Sequence, residues 1–378
     1  MTRYRFDQIA ENSTAKKKPE ESDRDRYVGL EHLDPGTLEV TRWGAEVTPK
    51  GDKLLMKKGD VLFGRRRAYQ KKVGIAPFDG IFSAHGMVLR PKTDVVDPTF
   101  FPFFISSDMF LDEAIRVSVG SLSPTANWKD LRTLEFNLPS LGKQRELAGI
   151  LSEAEQLKGH YRSLLAACDD VVKSQFVEMF GGLNSTDLRP LKDVCSIITD
   201  GTHQPPKFVD RGIPFLFVSN ITSDAIDYET NKFISVEDYE QLIRRTPIEV
   251  GDVLVSAVGS FGHPAIVEDD RPFCFQRHIA YLKPRHDLID SSYLHAALLS
   301  EGSQRYMDRC AKGAAQRTVT LKSFKEMKVP LPPFSTQQEF ADFAASVDKS
   351  KFAVQKALDE LNATTKKILN QELGLGDV

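Results

Sequence analysis

The strongest chemical signal in the sequence is positive charge concentrated in one segment. Residues 50 to 72 hold nine lysines and arginines and only two acidic residues, whereas the 378-residue chain has a net charge of −3. Such a segment can neutralise phosphates, and an arginine that reaches a base edge can bind guanine through two hydrogen bonds. We therefore predict nucleic-acid contacts, with a solvated strand face as the alternative, at Lys57, Lys58, Arg65, Arg66, Arg67, Tyr69, Gln70, Lys71 and Lys72.

Further candidate contacts lie in polar loops, where glycine lets the backbone approach a ligand closely. One loop runs from Asp200 to Lys207, and two glycine-opened loops cover residues 120–125 and 313–318. Asparagine is the natural two-bond partner of adenine, and Asn220 ends an apolar run. With plain surface turns as the alternative, we predict contacts by Ser121, Ser123, Thr202, His203, Gln204, Lys207, Asn220, Gln276, Arg277, Gln316 and Arg317.

Motifs for catalysis are missing from the sequence. A DNA adenine methyltransferase needs a polar side chain before Pro-Pro-aromatic, but Leu331 stands there, and leucine accepts no hydrogen bond. The Gly-Ser-Phe-Gly segment at 259–262 has too few glycines for an S-adenosylmethionine cradle, and no Walker-type phosphate loop occurs. Glu326-Met327-Lys328 lacks the upstream Pro-Asp of a nuclease. We predict no catalytic residue, no bound cofactor and no metal.

Composition narrows the class further. Hydrophobic residues make up 41% of the chain and charged residues 27%, which predicts folded domains rather than disorder. The four cysteines are far apart with no C-x-x-C pair, which argues against a zinc ribbon and a disulfide scaffold. The first 22 residues are polar, and the longest apolar run, residues 100–105, is too short to span a membrane. We expect a cytoplasmic protein with no membrane segment.

The segments that should position these residues occur twice in the sequence. Gly59-Asp60-Val61-Leu62 returns as Gly251-Asp252-Val253-Leu254. His85 returns as His278 within a matching strand-like run, and Gly120 returns as Gly313. Leu-Pro followed by Gln-x-Glu occurs at 138–146 and again at 331–339. Because these matches share one register of 192 to 193 residues, we predict an internal repeat rather than two unrelated domains.

Each copy begins with short apolar runs broken by Gly, Pro and Asp, which predict a mixed α+β domain. Each then changes to a helical period, with apolar seams at spacings of four and three. The predicted seams are Ile150, Ala154, Leu157, Tyr161, Leu164, Cys168 and Val171 in the first copy, and Phe343, Val347, Ser350, Val354, Ala357, Leu361, Thr364 and Ile368 in the second. We predict that the two helices pack together as an antiparallel coiled coil, the alternative being that each lies on its own domain.

These features together resemble the specificity subunits of type I restriction–modification enzymes. The resemblance covers the whole length and is carried by Gly-Asp-Val-Leu in both halves, by the two Leu-Pro…Gln-x-Glu entries into heptad helices, and by Asp200-Gly201-Thr202-His203. It implies target recognition domains at 1–141 and 183–333, long helices at 142–182 and 334–378, and a place for the Asp200 loop at the DNA.

The resemblance also implies function and partners. Each domain would read one half of a split, asymmetric double-stranded DNA target, and the helix pair would set the gap. The subunit would be non-catalytic and would recruit two methyltransferase subunits, which let restriction subunits with motor activity join. S-adenosylmethionine, ATP and magnesium would then be bound by those partners. Two alternatives are a diverged DNA methyltransferase or nuclease with its own active site, and a coiled-coil adaptor that binds no DNA.

Overall fold

The computed structural model describes residues 1–182, 187–204, 206–313 and 316–375. The chain divides into two compact units. Unit 1 comprises Met1–Ser163 together with Val354–Val378, and unit 2 comprises Leu164–Ala353. Two helices of 40 residues, α5 (Leu141–Phe180) and α11 (Phe334–Leu373), each contribute one part to each unit. The predicted pair of long helices is therefore confirmed.

Unit 1 is a mixed α+β domain. Its strands are β1 (Thr2–Arg5), β2 (Ala10–Ser13), β3 (Lys16–Lys17), β4 (Tyr27–Val28), β5 (Lys53–Met56), β6 (Val61–Phe63), β7 (Val73–Ile75), β8 (Gly80–Phe82), β9 (Met87–Pro91) and β10 (Glu135–Leu138). Its short helices are α1 (Phe6–Ile9), α2 (Phe101–Ser106), α3 (Asp108–Arg116) and α4 (Trp128–Leu131).

Unit 2 repeats the plan. Its strands are β11 (Leu188–Pro190), β12 (Cys195–Asp200), β13 (Ile213–Leu216), β14 (Phe233–Ile234), β15 (Val253–Ser256), β16 (Pro264–Ile266), β17 (Cys274–Phe275), β18 (Ile279–Pro284) and β19 (Lys328–Pro330). Its short helices are α6 (Leu191–Val194), α7 (Val236–Leu242), α8 (Ser291–Leu299), α9 (Glu301–Cys310) and α10 (Leu321–Glu326).

The sheets of the two units correspond strand by strand. An antiparallel sheet has the order β2-β9-β6-β7 in unit 1 and β12-β18-β15-β16 in unit 2. The pairs β1-β10 and β11-β19 also match, while the third sheet is β3-β5-β8-β4 in unit 1 and the smaller β14-β13-β17 in unit 2. Register agrees as well, because Leu62 lies opposite Val88 and its repeat Leu254 lies opposite Tyr281. The α+β internal repeat predicted from the sequence is confirmed.

The Gly-Asp-Val-Leu repeat forms the same braced turn in both units. Gly59 and Gly251 have φ values of +89° and +93°, a left-handed conformation that favours glycine. The buried carboxylate of Asp60 accepts the Lys57 N–H (2.8 Å) and the Arg90 guanidinium (2.8 Å). Asp252 is fully buried and accepts the Glu249 N–H (2.8 Å) and the Tyr281 hydroxyl (2.7 Å). This motif therefore fixes the start of a central strand.

The repeated glutamine after Leu-Pro joins each domain to the long helix that follows it. In unit 1, buried Gln144 accepts the Asp97 N–H (2.8 Å) and donates to the carbonyls of Val95 (3.2 Å) and Pro139 (2.9 Å). These four residues lie in the same unit. The three hydrogen bonds of the Gln144 amide therefore all go to backbone groups that precede the helix in the sequence.

Gln337 makes the same three bonds in unit 2. It accepts the Asp290 N–H (3.0 Å) and donates to the carbonyls of Leu288 (3.1 Å) and Pro332 (2.9 Å), and its side chain is fully buried. A buried peptide group without a partner is costly, so the amide both satisfies the loop and holds it against the helix.

The long helices pack antiparallel within each unit. In unit 1, Lys143 pairs with Glu372 (3.3 Å), and Leu147 and Leu151 share a core with Leu369 and Leu373. In unit 2, Lys351 pairs with Asp169, and the Phe176 and Phe340 rings meet edge to face with centroids 5.5 Å apart. Residues early in α5 contact residues late in α11, and residues late in α5 contact residues early in α11, as antiparallel packing requires.

The seam predicted for the first helix is only partly right. Ala154 is buried and Tyr161 and Cys168 are half-buried, but Ile150, Leu157, Leu164 and Val171 are 45%, 41%, 47% and 48% exposed. The buried residues of this helix are Gln144, Leu147, Ala148, Leu151, Ala154, Lys158, Phe176 and Phe180. The second predicted seam is nearer the packed face, since its members other than Ser350 and Thr364 are half-buried. Polar Gln144 and Lys158 hid the packed face of α5 from a hydrophobicity pattern.

We expect Gln337→Leu to lower the free energy of unfolding of the chain by about 2–4 kcal/mol, because three buried backbone groups lose their partner. Gln338→Leu is the matched control, because Gln338 is exposed and its replacement should cost less than about 0.5 kcal/mol. Urea unfolding followed by circular dichroism measures both variants. Equal effects of the two substitutions would show that the amide does not stabilise the fold.

Candidate nucleic-acid interface

Two loops of unit 1 form one surface at the carboxyl end of β6. We call residues 64–72, between β6 and β7, the basic loop, and residues 119–125 the first hairpin. The Arg67 N–H donates to the Pro124 carbonyl (2.7 Å), and the Ala126 N–H donates to the Arg65 carbonyl (3.0 Å). Arg66 and Thr125 also form an antiparallel bridge. The structure therefore brings the predicted residues of the basic loop next to Ser121 and Ser123.

The basic loop points charged side chains outward from a fixed base. Ala68 is buried, while Arg67 and Lys71 on either side of its turn have left-handed φ values of 56° and 50°. Arg66 and Arg67 are exposed, and neither has an ion-pair partner within the described residues. A strained, anchored backbone that presents unpaired guanidinium groups is well suited to bind phosphate or a guanine edge.

The surroundings of Arg66 are electropositive. Its Nη1 lies 3.4 Å from Nε2 of His85. Burial lowers the pKa of the His85 imidazole, and the nearby charges of Arg66 and Arg65 lower it further. A neutral imidazole beside the guanidinium leaves the positive charge on the arginines, which favours an anionic ligand at this surface.

Other predicted basic residues are engaged inside unit 1. The ammonium of Lys71 binds Asp108 (3.0 Å) and Asp112 (2.8 Å) of α3, and that of Lys72 donates to the Leu30 carbonyl (2.7 Å). Burial would raise the pKa of Asp108, but hydrogen bonds from Lys366 and Lys71 outweigh it and lower that pKa to about 2. Lys71 and Lys72 therefore anchor the loop. The charge of Lys71 is partly neutralised by two carboxylates, whereas the Lys72 ammonium is bound by a neutral carbonyl and keeps its charge.

Lys57 and Lys58 lie at the amino end of β6, the end opposite to the basic loop. Lys58 lines a cavity of about 880 Å³ together with Gln156 and His160 of the long helix. The structure therefore does not bring these two lysines together with Arg66 and Arg67. Tyr69 is 53% exposed and Gln70 half-buried, so both remain on the loop surface.

In unit 2 the structure brings together predicted residues that are far apart in the chain. The Thr202 N–H donates to the Phe275 carbonyl (3.1 Å), and the Arg277 N–H donates to the Thr202 carbonyl (3.0 Å). A parallel bridge joins Thr202 to Gln276. Arg277 is exposed, so its guanidinium is available beside the loop that follows Asp200.

The rest of the Asp200 loop has internal contacts. His203 Nε2 lies 3.1 Å from a carboxylate oxygen of Asp200, which also binds Arg245 (2.5 Å). The Thr202 hydroxyl donates to the carbonyl of Gln204 (2.9 Å). Lys207 is exposed, and Pro205 lies outside the described residues.

Asn220 is not available to read adenine. Its side chain is buried, its oxygen accepts the Phe217 N–H (2.9 Å), and its nitrogen donates to the carbonyls of Asp227 (2.9 Å) and Glu229 (3.0 Å). Both amide hydrogens are therefore used within unit 2. The prediction for this residue is corrected: Asn220 stabilises the turn after β13.

The second hairpin, residues 312–318, is the counterpart of the first. Lys312 and Thr318 form its closing bridge, as Val119 and Thr125 do in unit 1. Gln316 is exposed, whereas the Arg317 guanidinium binds Asp308 (2.7 Å) and lies 5.3 Å from the centre of the Phe261 ring. Ala314 and Ala315 of the predicted loop lie outside the described residues.

Sequence reasoning missed one loop that the repeat identifies. Residues 257–263, between β15 and β16, occupy the place that the basic loop has in unit 1. They are tied to the second hairpin in the same way, because Val258 bridges Thr318 and the Gly259 N–H donates to the Arg317 carbonyl (2.9 Å). We call this segment the serine loop. Aligning the two copies on their Gly-Asp-Val-Leu motifs would have found it.

A chain of hydrogen bonds orients the serine loop. The Ser260 hydroxyl lies 3.2 Å from Nε2 of His263, whose Nδ1 lies 2.9 Å from Asp224. Half-buried His295 contacts the carbonyls of Asp224 and Pro264 (both 3.1 Å), and Asp224 has a left-handed φ of 59°. The order is that of a serine hydrolase, but His263 and Asp224 are 33% and 38% exposed. A serine nucleophile acts in a desolvated site. We therefore interpret this series of hydrogen bonds as orienting the Ser260 side chain rather than activating it.

Within the described residues, no group of three or more histidine, cysteine, aspartate or glutamate side chains is arranged to hold a metal ion. No helix in the same part of the chain is long and apolar enough to cross a membrane.

Comparison with known proteins identifies the family of this scaffold. The family model for the type I restriction modification DNA specificity domain matches twice, at residues 4–160 and 186–363. The chain belongs to this family of DNA specificity domains. Its two matches coincide with the two copies of the repeat, and membership supports a role in sequence-specific DNA binding.

Curated relatives of this specificity family are similar over long stretches. The putative type I restriction enzyme MjaX specificity subunit of Methanocaldococcus jannaschii is 22% identical over 380 residues, covering 90% of this chain and 84% of the relative. The type I restriction enzyme EcoBI specificity subunit of Escherichia coli is 30% identical over 173 residues, covering 45% of this chain and 36% of the relative.

Solved structures share the fold. A chain from work on complex assembly and conformational transition of the type I R-M system has a TM-score of 0.52 and 19% identity, covering 98% of this chain and 96% of its own length. The type I restriction–modification S subunit from M. genitalium has a TM-score of 0.50 and 15% identity, with coverages of 100% and 96%.

We expect the double variant Arg66→Ala/Arg67→Ala to weaken binding to duplex DNA and to reduce the slope of log affinity against log salt by up to about two units, because each lost phosphate contact removes about one. Fluorescence anisotropy at several salt concentrations measures the slope. Lys57→Ala/Lys58→Ala removes the same charge from exposed residues at the opposite end of β6 and should leave the slope within error. If the lysine variant lost more slope than the arginine variant, the assignment of the exposed arginines to DNA would be wrong.

Proposed function

We propose that this chain is the non-catalytic DNA-reading subunit of a type I restriction–modification enzyme, and that each unit reads one half of a split, asymmetric double-stranded target. One observation carries the proposal: equivalent sheets in the two units present chemically different loops at equivalent places. The basic loop offers arginines, whereas the serine loop offers a hydroxyl and an imidazole. A constant scaffold with different loops is what two readers of different half-sites require.

The long helices are suited to set the gap between the half-sites. Each helix has 40 residues, about 60 Å at the usual rise, and contributes to both units. The hydrogen bonds of the buried Gln144 and Gln337 side chains hold each helix against the domain that precedes it. A spacer without base-reading loops would keep the gap constant in length while leaving its sequence free.

Docking of methyltransferase subunits on the helices is supported by apolar residues that the fold leaves exposed. Within unit 1 these are Ile150 and Leu157, and within unit 2 they are Leu164 and Val171. The four lie at heptad spacing on α5, next to the packed face rather than on it. One such pair in each unit agrees with two methyltransferase subunits for each chain.

An active site of the chain's own is the weaker proposal. The segment that imitates a methyltransferase motif, Leu331–Phe334, leads from β19 into α11, and the Pro332 carbonyl is used by Gln337. We therefore assign S-adenosylmethionine to the methyltransferase partners, and ATP and magnesium to the restriction subunits that join them.

Methylation mapping tests this function together with the role of the helices. Co-expression with the cognate methyltransferase should place methylated adenines in a bipartite motif with a fixed gap. We expect insertion of seven residues after Ser163 and seven after Ala353 to keep both packed faces in phase and to lengthen each helix by about 10 Å. The preferred gap should grow by about one to three base pairs, with both half-sites unchanged.

The control inserts two residues at the same places. It rotates each apolar face by about 200° and should abolish methylation through misfolding or failed assembly. Scattered methylation without a split motif would contradict the proposed function itself. A split motif whose gap ignores the heptad insertion would contradict only the role of the helices.

A further inference from the structure

Leu122 is the most exposed of the large apolar side chains in the described part of the chain, at 91%. A single exposed leucine needs no special explanation. This one lies at the tip of the first hairpin, next to the proposed DNA surface, and Ser121 and Ser123 flank it. Its position beside the proposed DNA surface, rather than its exposure, makes this leucine a candidate for contact with DNA.

The first hairpin holds its tip firmly. Val119 and Thr125 exchange backbone hydrogen bonds of 3.1 and 3.0 Å, and the Thr125 hydroxyl donates to the Ser123 carbonyl (3.0 Å). Gly120 has a left-handed φ of 114°, and Pro124 restricts the return strand. Buried Ala126 then fixes the exit of the hairpin in the core. The leucine therefore projects from a base that cannot easily fold over to bury it.

Positive charge stands on one side of this tip. The Pro124 carbonyl accepts the Arg67 N–H (2.7 Å), so exposed Arg67 and neighbouring Arg66 are joined directly to the hairpin that carries Leu122. Arginine contacts to phosphates would press the duplex against the leucine. A rigid apolar tip beside guanidinium groups matches the way in which proteins wedge aliphatic side chains between base pairs. This charge argues for duplex DNA as the occupant rather than an apolar protein surface.

We propose that Leu122 inserts between two base pairs of the half-site read by unit 1, unstacking that step and bending the duplex. This inference rests on the proposed function and adds a mechanism of readout to it. A wedge reads sequence through the cost of opening a step, and pyrimidine–purine steps open most easily. Unit 1 would thus favour TA or CA/TG at one position that none of its polar side chains contacts.

The counterpart position in the second copy is Ala315 by the register of the repeat. Alanine has too little apolar surface to act as a wedge. The proposal therefore predicts local unstacking in one half-site only, and the half-site read by unit 2 serves as an internal reference.

Duplexes that carry 2-aminopurine at successive positions of the mapped target test the wedge. The full chain is used without methyltransferase, so that no partner can flip a base. Wild-type protein should raise the fluorescence at one step of the unit 1 half-site, and Leu122→Ala should return it to the level of free duplex. Leu122→Met, which keeps a long apolar side chain, should retain the signal. Val250→Ala is the control, because Val250 is exposed at the far end of β15 from the serine loop.

Binding measurements give a second readout. Leu122→Ala should weaken binding to the intact target on the order of tenfold, because the apolar surface that the base stack would bury is lost. Wild-type protein should bind more tightly to a duplex with a mismatch at the wedged step, and Leu122→Ala should gain less from that mismatch. The urea midpoint of the variant should equal that of wild type, since the side chain is exposed.

The outcomes separate this inference from the function on which it rests. If the wild-type chain bound no DNA, the proposed function would fail. If it bound DNA with a normal salt slope but neither fluorescence nor mismatch preference depended on Leu122, the wedge would be wrong and the proposed function would stand. If Leu122→Ala instead reduced assembly with the methyltransferase and left DNA binding unchanged, the tip would be a protein contact, and the proposal would also be overturned.

Discussion

Gln144 and Gln337 are the buried amides that join the parts of each unit. Each accepts one backbone N–H and donates to two backbone carbonyls, across the point where the domain ends and a long helix begins. An amide suits this place because it satisfies donors and acceptors together, and an unsatisfied buried peptide group costs about 1–3 kcal/mol. With the helix held in this way, the loops of each sheet keep a constant position relative to the helix that leaves it.

The same constraint explains why the repeat was visible in the sequence. Gly59, Asp60 and Gln144 recur because a left-handed turn, a buried carboxylate and a buried amide tolerate few substitutes. The helices were predictable for a similar reason, since 40 residues of helical period stand out in any sequence. The packed face of α5 was only partly predictable from hydrophobicity, because buried Gln144 and Lys158 are polar while exposed Ile150 and Leu157 are apolar.

The candidate site was only partly predictable. Arg66 and Arg67 were found because charge clusters are visible in one dimension. Lys71 and Asn220 looked equally suitable, yet their partners, Asp108 for the lysine and Asp227 and Glu229 for the asparagine, are contacts that spacing does not reveal. The serine loop was missed because its counterpart in unit 1 shares its place but not its residues. Divergence at that place, on a scaffold that the two units share, is the property that our proposal of two different half-sites requires.

The most direct test of that independence is an exchange of one domain. Residues 183 to 333 would be replaced by the equivalent segment of a family member with a different target, and the methylated sites of the chimera mapped with the cognate methyltransferase. Our account predicts a motif in which one half-site changes to that of the donor, while the other half-site and the gap remain as in the wild type. A motif in which both half-sites change together would contradict independent reading by the two units.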